Sequence, residues 1–184
     1  MNNLFDSPGK ENTDAAIRLA HERAVELGLK EVVVATTTGA TANRVLDVFD
    51  GFSVIAVTYH CGFRKPFETL MPPDARAVLE TRGAKVVQAT HALSGVERSF
   101  AKKFSGVYPV LVMAEVLRLF GQGVKVAVEV AIMAADAGVL TGNDVVSIGG
   151  SARGADAALI LKPANQSDVF DIKIREVICK PRNF

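Results

Sequence analysis

Three short apolar runs constrain this chain most: Val32-Val33-Val34-Ala35, Val54-Ile55-Ala56-Val57 and Val145-Val146-Ser147-Ile148. None shows the polar alternation of a half-exposed strand, and each is too short for a helix. Such runs belong to strands buried on both faces. Helical patterns separate them. From Asn12 or Thr13, either of which can cap, to Leu27, the residues Ile17, Ala20, Ala24 and Leu27 share a face, and Gly28 ends the helix. Ala40 to Phe49 is helical, with Val45, Leu46 and Phe49 inward. Pro72-Pro73 opens a helix through Arg82, and Ala84 to Ala89 is a further strand. Ser94-Gly-Val-Glu97 has the spacing of a capping box for a short helix. Pro109 to Phe120 and Val124 to Ala137 are two helices broken at Gly121-Gln122-Gly123. A strand from Asp144 to Ile148, a glycine-rich turn from Gly149 to Gly154, a strand from Ala155 to Leu161 and a last one from Phe170 to Cys179 complete the chain. Strands alternating with helices predict a three-layer α/β fold: a mostly parallel sheet with helices on both faces. The closing strands, joined by turns, leave room for an antiparallel portion. With 184 residues and no linker-like stretch, residues 1–184 are expected to form a single domain.

Composition removes several function classes. Lys and Arg number 21 against 20 Asp and Glu, a net charge of +1, and no basic run exceeds two residues. A nucleic-acid binder would need a basic face, so no nucleic-acid partner is expected. Aromatics are 7% with no Trp, too few for a single-strand stacking platform. The most apolar stretch, Val124 to Leu140, carries Lys125, Glu129 and Asp136 and is short of the ~20 residues that cross a bilayer. No membrane association is expected. The two cysteines, Cys61 and Cys179, make no disulfide framework, and no basic-then-apolar leader opens the chain. A reduced, cytoplasmic setting is the expectation.

The densest chemistry lies at Thr36-Thr37-Thr38-Gly39-Ala40-Thr41-Ala42, where an apolar strand runs into hydroxyls and one glycine before a helix begins. A helix N-terminus leaves N–H donors free and carries partial positive charge. Gly39 allows close backbone approach, and the threonines add hydroxyl donors. Phosphate suits such a cradle without a lysine. Equally, Thr38 or Thr41 can serve only as a helix cap. The second glycine-rich turn, with Gly149, Gly150, Ser151 and Arg153, reads in two ways as well: as backbone donors to the same anion, or as a tight connection between strands.

These segments resemble the C-terminal domain of pyruvate kinase. Thr36, Thr38, Gly39, Thr41 and Ala42 match its opening turn, and Ser53-Val-Ile-Ala-Val-Thr58 stands where its next strand belongs. Asn143-Asp-Val-Val-Ser-Ile-Gly-Gly150 resembles its late strand and loop, and Ala157 to Lys162 its following strand. The middle departs from the kinases at His60-Cys-Gly-Phe63, His91-Ala-Leu-Ser-Gly95 and Glu129 to Gly138. There it is similar to stand-alone, mostly archaeal relatives of that domain. The resemblance implies the pyruvate kinase C-terminal fold and a phosphorylated effector held in the first turn. For the stand-alone relatives it implies bound flavin mononucleotide (FMN). The chain is too short to hold the kinase's catalytic barrel as well, so phosphoryl transfer to pyruvate is not expected.

In an open parallel sheet, ligands bind beyond the carboxyl ends of the strands. If FMN binds with its phosphate at the threonine turn, the loops after Thr58, Ala89 and Ile148 bring His60, Gly62, Phe63, His91 and Gly150 near it. Phe63 is expected to cover the ring and His60 to make a polar contact. His60, Cys61 and His91 lack metal-site spacing, so no metal is expected. Ser94 beside His91 reads as a cap rather than a nucleophile. Met133 reads as core, and Asp136 is poised to reach a ligand or a backbone N–H. A homo-oligomer is expected, because the helices from Pro109 to Ala137 are apolar on more than one face. Two rivals stand beside the binding reading: a flavin-dependent oxidoreductase or other small-molecule enzyme, and a regulatory homo-oligomer with a vestigial effector site.

Overall fold

The computed structural model describes residues 3–184. Its strands are β1 (Leu4–Phe5), β2 (Glu31–Ala35), β3 (Ser53–Tyr59), β4 (Lys85–Ala89), β5 (Val145–Gly149), β6 (Ala157–Lys162) and β7 (Lys173–Pro181). Its helices are α1 (Thr13–Glu26), α2 (Ala40–Val48), α3 (Pro73–Thr81), α4 (Glu97–Phe104), α5 (Pro109–Arg118) and α6 (Gln122–Asp136). One seven-stranded sheet runs in the order β1-β7-β6-β5-β2-β3-β4. The β5-β2-β3-β4 portion is parallel, and β6 runs against both β5 and β7.

The continuous apolar strands are explained by two cores. Successive side chains on a strand point to opposite faces. Val32, Val34, Val54 and Ala56 pack with Ile17 and Ala20 of α1, Val45 of α2 and Phe49 just past it. Val33, Ile55, Val57 and Leu159 pack on the other face with Ala127, Val128, Ala131 and Ile132 of α6. The helix α6 is buried on nearly every side, which accounts for its apolar character within the chain itself. Its backbone lies so close to β5 that a Cβ on Gly149 would meet Gly123 O and Ala127 N. The buried Ser147 hydroxyl donates to Ala127 O at 2.6 Å. Gly149 is therefore a helix-to-strand packing residue.

Two local expectations differ from the structure, and one short strand was not expected. The capping box does not form: Val96 stands at the start of α4, no side chain caps it, and only the Ser94 carbonyl is used, accepting from Arg98 N. The last strand begins at Lys173, because Phe170 lies in a 3-10 turn and is exposed. The alternation of Phe170, Ile172 and Ile174 is thus only partly a strand pattern. Finally, the two-residue β1 pairs parallel with β7, and a segment this short carries no periodicity to read. Asp136 makes the backbone contact open to it, accepting from Gln166 N at 3.0 Å.

Chain order turns at β2. Successive strands step from β2 to β3 and β4 on one side, and the chain then returns to place β5 on the other. The loops leaving β2 and β5 diverge there, which opens a crevice at the carboxyl ends of the strands.

Candidate functional site

A cavity of about 570 Å³ occupies that crevice. Its walls come from the turn after β2 (Thr36, Thr37, Thr38, Ala40, Thr41), the loop after β5 (Gly150 to Gly154), the end of β3 with Arg64, His91 after β4, and α6.

The first wall settles between cap and open turn. Gly39 takes the position before α2 with φ of 93°, a left-handed conformation that favours glycine, and no side chain caps the helix. The first intrahelical bond of this turn is Asn43 N to Gly39 O at 2.9 Å. The Thr36 hydroxyl is spent accepting from Gly39 N at 3.1 Å, which holds the turn. Thr58 braces it by donating to Thr37 O at 3.3 Å. Thr38 and Thr41 take no part in this bracing, and both line the cavity. Ala42 is buried behind them in the core.

The opposite wall is held by Asp156, which is 1% exposed. One carboxylate oxygen accepts from Ser151 N and from Gly9 N, both at 3.2 Å. Thr13 adds a second brace, its hydroxyl accepting from Ala155 N at 3.0 Å and donating to Lys10 O at 2.6 Å. Gly150 is needed for tightness: a Cβ there would overlap Gly154 O. Within this rigid loop the Ser151 hydroxyl and the Asp156 Oδ1 are both buried and without a hydrogen-bond partner among the described residues. The guanidinium groups of Arg64 and Arg153 also line the cavity and form no ion pair among the described residues.

The third wall is aromatic and apolar. Tyr59 and His91 line it with Val126, Val130 and Met133. Phe63 stands behind them, stacked on Tyr59 at 4.2 Å and on His91 at 4.8 Å between centroids, with Arg98 over its ring. His60 Nδ1 lies 3.2 Å from His91 Nδ1, so one ring donates and the other accepts. Burial pushes the pKa of His91 down to about 4, against a smaller opposite pull from Glu129. His91 is therefore neutral at pH 7 and available as a hydrogen-bonding group rather than a charge. Glu129 also reaches the cavity. It is 3% exposed, accepts from Leu93 N at 2.9 Å and pairs with the equally buried Lys125 one turn away. Burial drives the Lys125 pKa down, and Glu129 offsets part of that shift.

Of the residues expected at the site, Thr36, Thr37, Thr38, Ala40, Thr41, His91, Gly150 and Ser151 line the cavity. Gly39 and Ala42 shape the first turn, Gly149 packs on α6, and His60 and Phe63 support His91 and Tyr59 from behind. Gly62 makes a loop hydrogen bond, its N donating to Glu68 O at 2.9 Å. Sequence reasoning missed Tyr59, Arg64 and the pair Lys125 and Glu129. Tyr59 had a signal: it follows Val57 at the strand period of two, on the α6 side of the sheet. The pair had one too, opposite charges four residues apart in an otherwise apolar helix.

The sheet is open, and at its switch point an uncapped helix start faces a second glycine-rich loop. This chain belongs to the pyruvate kinase alpha/beta domain family, which matches residues 14–161. Domains of this family are associated with effector binding. Among solved structures, the chain is similar to Cryptosporidium parvum pyruvate kinase in complex with ADP, with 17% identity and a TM-score of 0.44 over 83% of this chain and 24% of that one. A second structure of a pyruvate kinase from the same organism matches at 16% identity and a TM-score of 0.43, over 83% of this chain and 23% of that one. The chain spans about a quarter of the length of these kinases. No helix of the described residues is long and apolar enough to cross a membrane.

Proposed function

We propose that this protein binds a phosphorylated small molecule, FMN foremost, with the phosphate at residues 36–42. The observation that carries the reading is the uncapped start of α2, with Thr38 and Thr41, facing the glycine-rich loop at 150–154 across one cavity. Backbone N–H groups of the first helical turn and the Thr38 and Thr41 hydroxyls receive the phosphate oxygens. Arg64 and Arg153 supply positive charge at the same cavity. The residues fit the flavin as well as the phosphate. The volume lies in the range that encloses a ligand of this size, and Tyr59, His91, Val126, Val130 and Met133 offer a flat, apolar wall for a ring. A bound flavin supplies redox chemistry; the protein's groups bind and orient it.

Mass spectrometry of the small molecule that co-purifies is the deciding experiment. FMN or another phosphate monoester is the expected result. A protein that, stripped of any ligand, binds neither FMN nor another phosphate monoester in calorimetric titration overturns the reading. Turnover with a reductant and an acceptor then separates an enzyme from a binder.

The proposal includes self-association. Val112, Val116 and Leu119 on and just past α5, and Phe100 and Phe104 on α4, recur at helical spacing and are exposed. Two adjacent helices with uncovered apolar stripes favour a second copy as cover.

A further inference from the structure

A second concavity, of about 230 Å³, lies between α4, α5 and α6. It shares no lining residue with the main cavity. Five polar residues line it: Ser94, Arg98, Arg118 and Lys125, with Glu115, whose carboxylate is held by Arg118. Lys125 is 5% exposed. An ammonium carries three N–H donors. Here it makes one protein hydrogen bond, to Glu129. Ser94 is 7% exposed, and with the capping box unformed its hydroxyl has no partner among the described residues. Arg98 forms no ion pair among the described residues and lies over the Phe63 ring at 5.1 Å.

The charges do not cancel. Arg118 is engaged by Glu115 and by Gln122 Oε1 at 2.7 Å, and Lys125 by Glu129, while Arg98 has no carboxylate. Arg118 and Arg98 both act on Lys125, adding to the depression of its pKa by burial. Buried donors must find acceptors. Water can accept these hydrogen bonds, but it leaves the Arg98 charge beside Lys125 without a counter-ion. An oxyanion meets both needs.

We propose that this pocket is a second ligand site, which takes a small tetrahedral oxyanion such as inorganic phosphate. Lys125, Ser94, Arg98 and Arg118 donate to it, and the space admits the ion with a few waters. The inference rests on residues separate from those of the main cavity, so either can fail without the other.

The test is titration with inorganic phosphate, read by amide NMR at residues 94–98 and, separately, at 36–42. It uses the wild-type protein, Thr38→Ala with Thr41→Ala, and Arg98→Ala. Arg98 is exposed on α4, so its truncation leaves the fold intact, and Ser94→Ala provides a second, milder variant. Residues 94–98 are expected to shift in the wild type and, with the same midpoint, in the threonine variant. Arg98→Ala is expected to weaken that midpoint about tenfold or more, as loss of a charged hydrogen-bond donor does. Ser94→Ala weakens it less. Shifts confined to residues 36–42 overturn the proposal. So does a midpoint at residues 94–98 that both Arg98→Ala and Ser94→Ala leave unchanged.

Discussion

Replacing Thr38 and Thr41 together by alanine separates a ligand cradle from a helix cap. A capping threonine typically costs about 1 kcal/mol of fold stability when truncated. In this structure Gly39 precedes α2 and neither threonine caps it, so that loss is absent. What remains is packing. Thr41 is 8% exposed, and removing its buried methyl costs about 0.8 kcal/mol. Thr38 is exposed and contributes little. The ligand side is larger. Two hydroxyls directed at a phosphate dianion contribute about 1–3 kcal/mol, a loss of affinity of about 5-fold to 150-fold. The double variant is therefore expected to unfold within about 1 kcal/mol of the wild type in urea while losing most of its affinity for a phosphate monoester in calorimetric titration. Unchanged affinity refutes the cradle. A stability loss well above 1 kcal/mol with proportionate loss of binding refutes the assignment of these hydroxyls to the ligand.

Four further outcomes are expected. Glu129→Leu alone strands the Lys125 ammonium and orphans Leu93 N–H, costing about 3–5 kcal/mol, whereas Lys125→Met with Glu129→Leu costs less than that single change; a urea double-mutant cycle without this coupling contradicts the pair's role. His91 titrates near 6.5 in the unfolded chain and at about 4 in the folded one, so between those values the unfolded chain binds the extra proton and stability falls as pH falls. His91→Asn should show a flatter stability profile over that window, and an identical slope removes the argument. Tyr59→Leu weakens flavin binding by the stacking contribution of about 0.5–1.5 kcal/mol plus lost burial, while Phe63→Ala acts in the same direction by loosening Tyr59; both leave inorganic phosphate binding nearly unchanged, and equal losses for the two ligands assign these rings to the fold alone. Light scattering at micromolar concentration should find more than one chain per particle, reduced to a monomer by Val116→Glu with Leu119→Glu, and a strict wild-type monomer ends the oligomer proposal.

What was legible in the sequence divides along a physical line. Residues 32–35 and 54–57 announced a doubly covered parallel sheet, because burial on both faces favours apolar residues at every position. The threonine turn and the loop at 150–154 were legible for a related reason: local chemistry and glycine demand are written at consecutive positions. Ser94 and Glu97 show the limit of that method, since the spacing of a capping box was present and the chain used only the Ser94 carbonyl. The aromatic wall shows another. Phe63 was the natural choice to cover a ring, and it stacks on Tyr59 and His91 without lining the cavity. Tyr59, at the end of β3, takes the cavity face because the strand's alternation places it there beyond Val57. The pair Lys125 and Glu129 was hardest to weigh. Charges at this spacing on a helix are ordinarily a solvated pair of little consequence. Here α6 is enclosed by the sheet on one side and by α5 on another, so the two ions are desolvated and each must be answered. Glu129 is answered by Lys125 and by Leu93 N–H, within the chain. Lys125 is answered only in part, and it lines a pocket with Ser94, Arg98 and the paired Arg118 and Glu115. The ion pair thus joins the walls of two separate cavities through a single turn of helix.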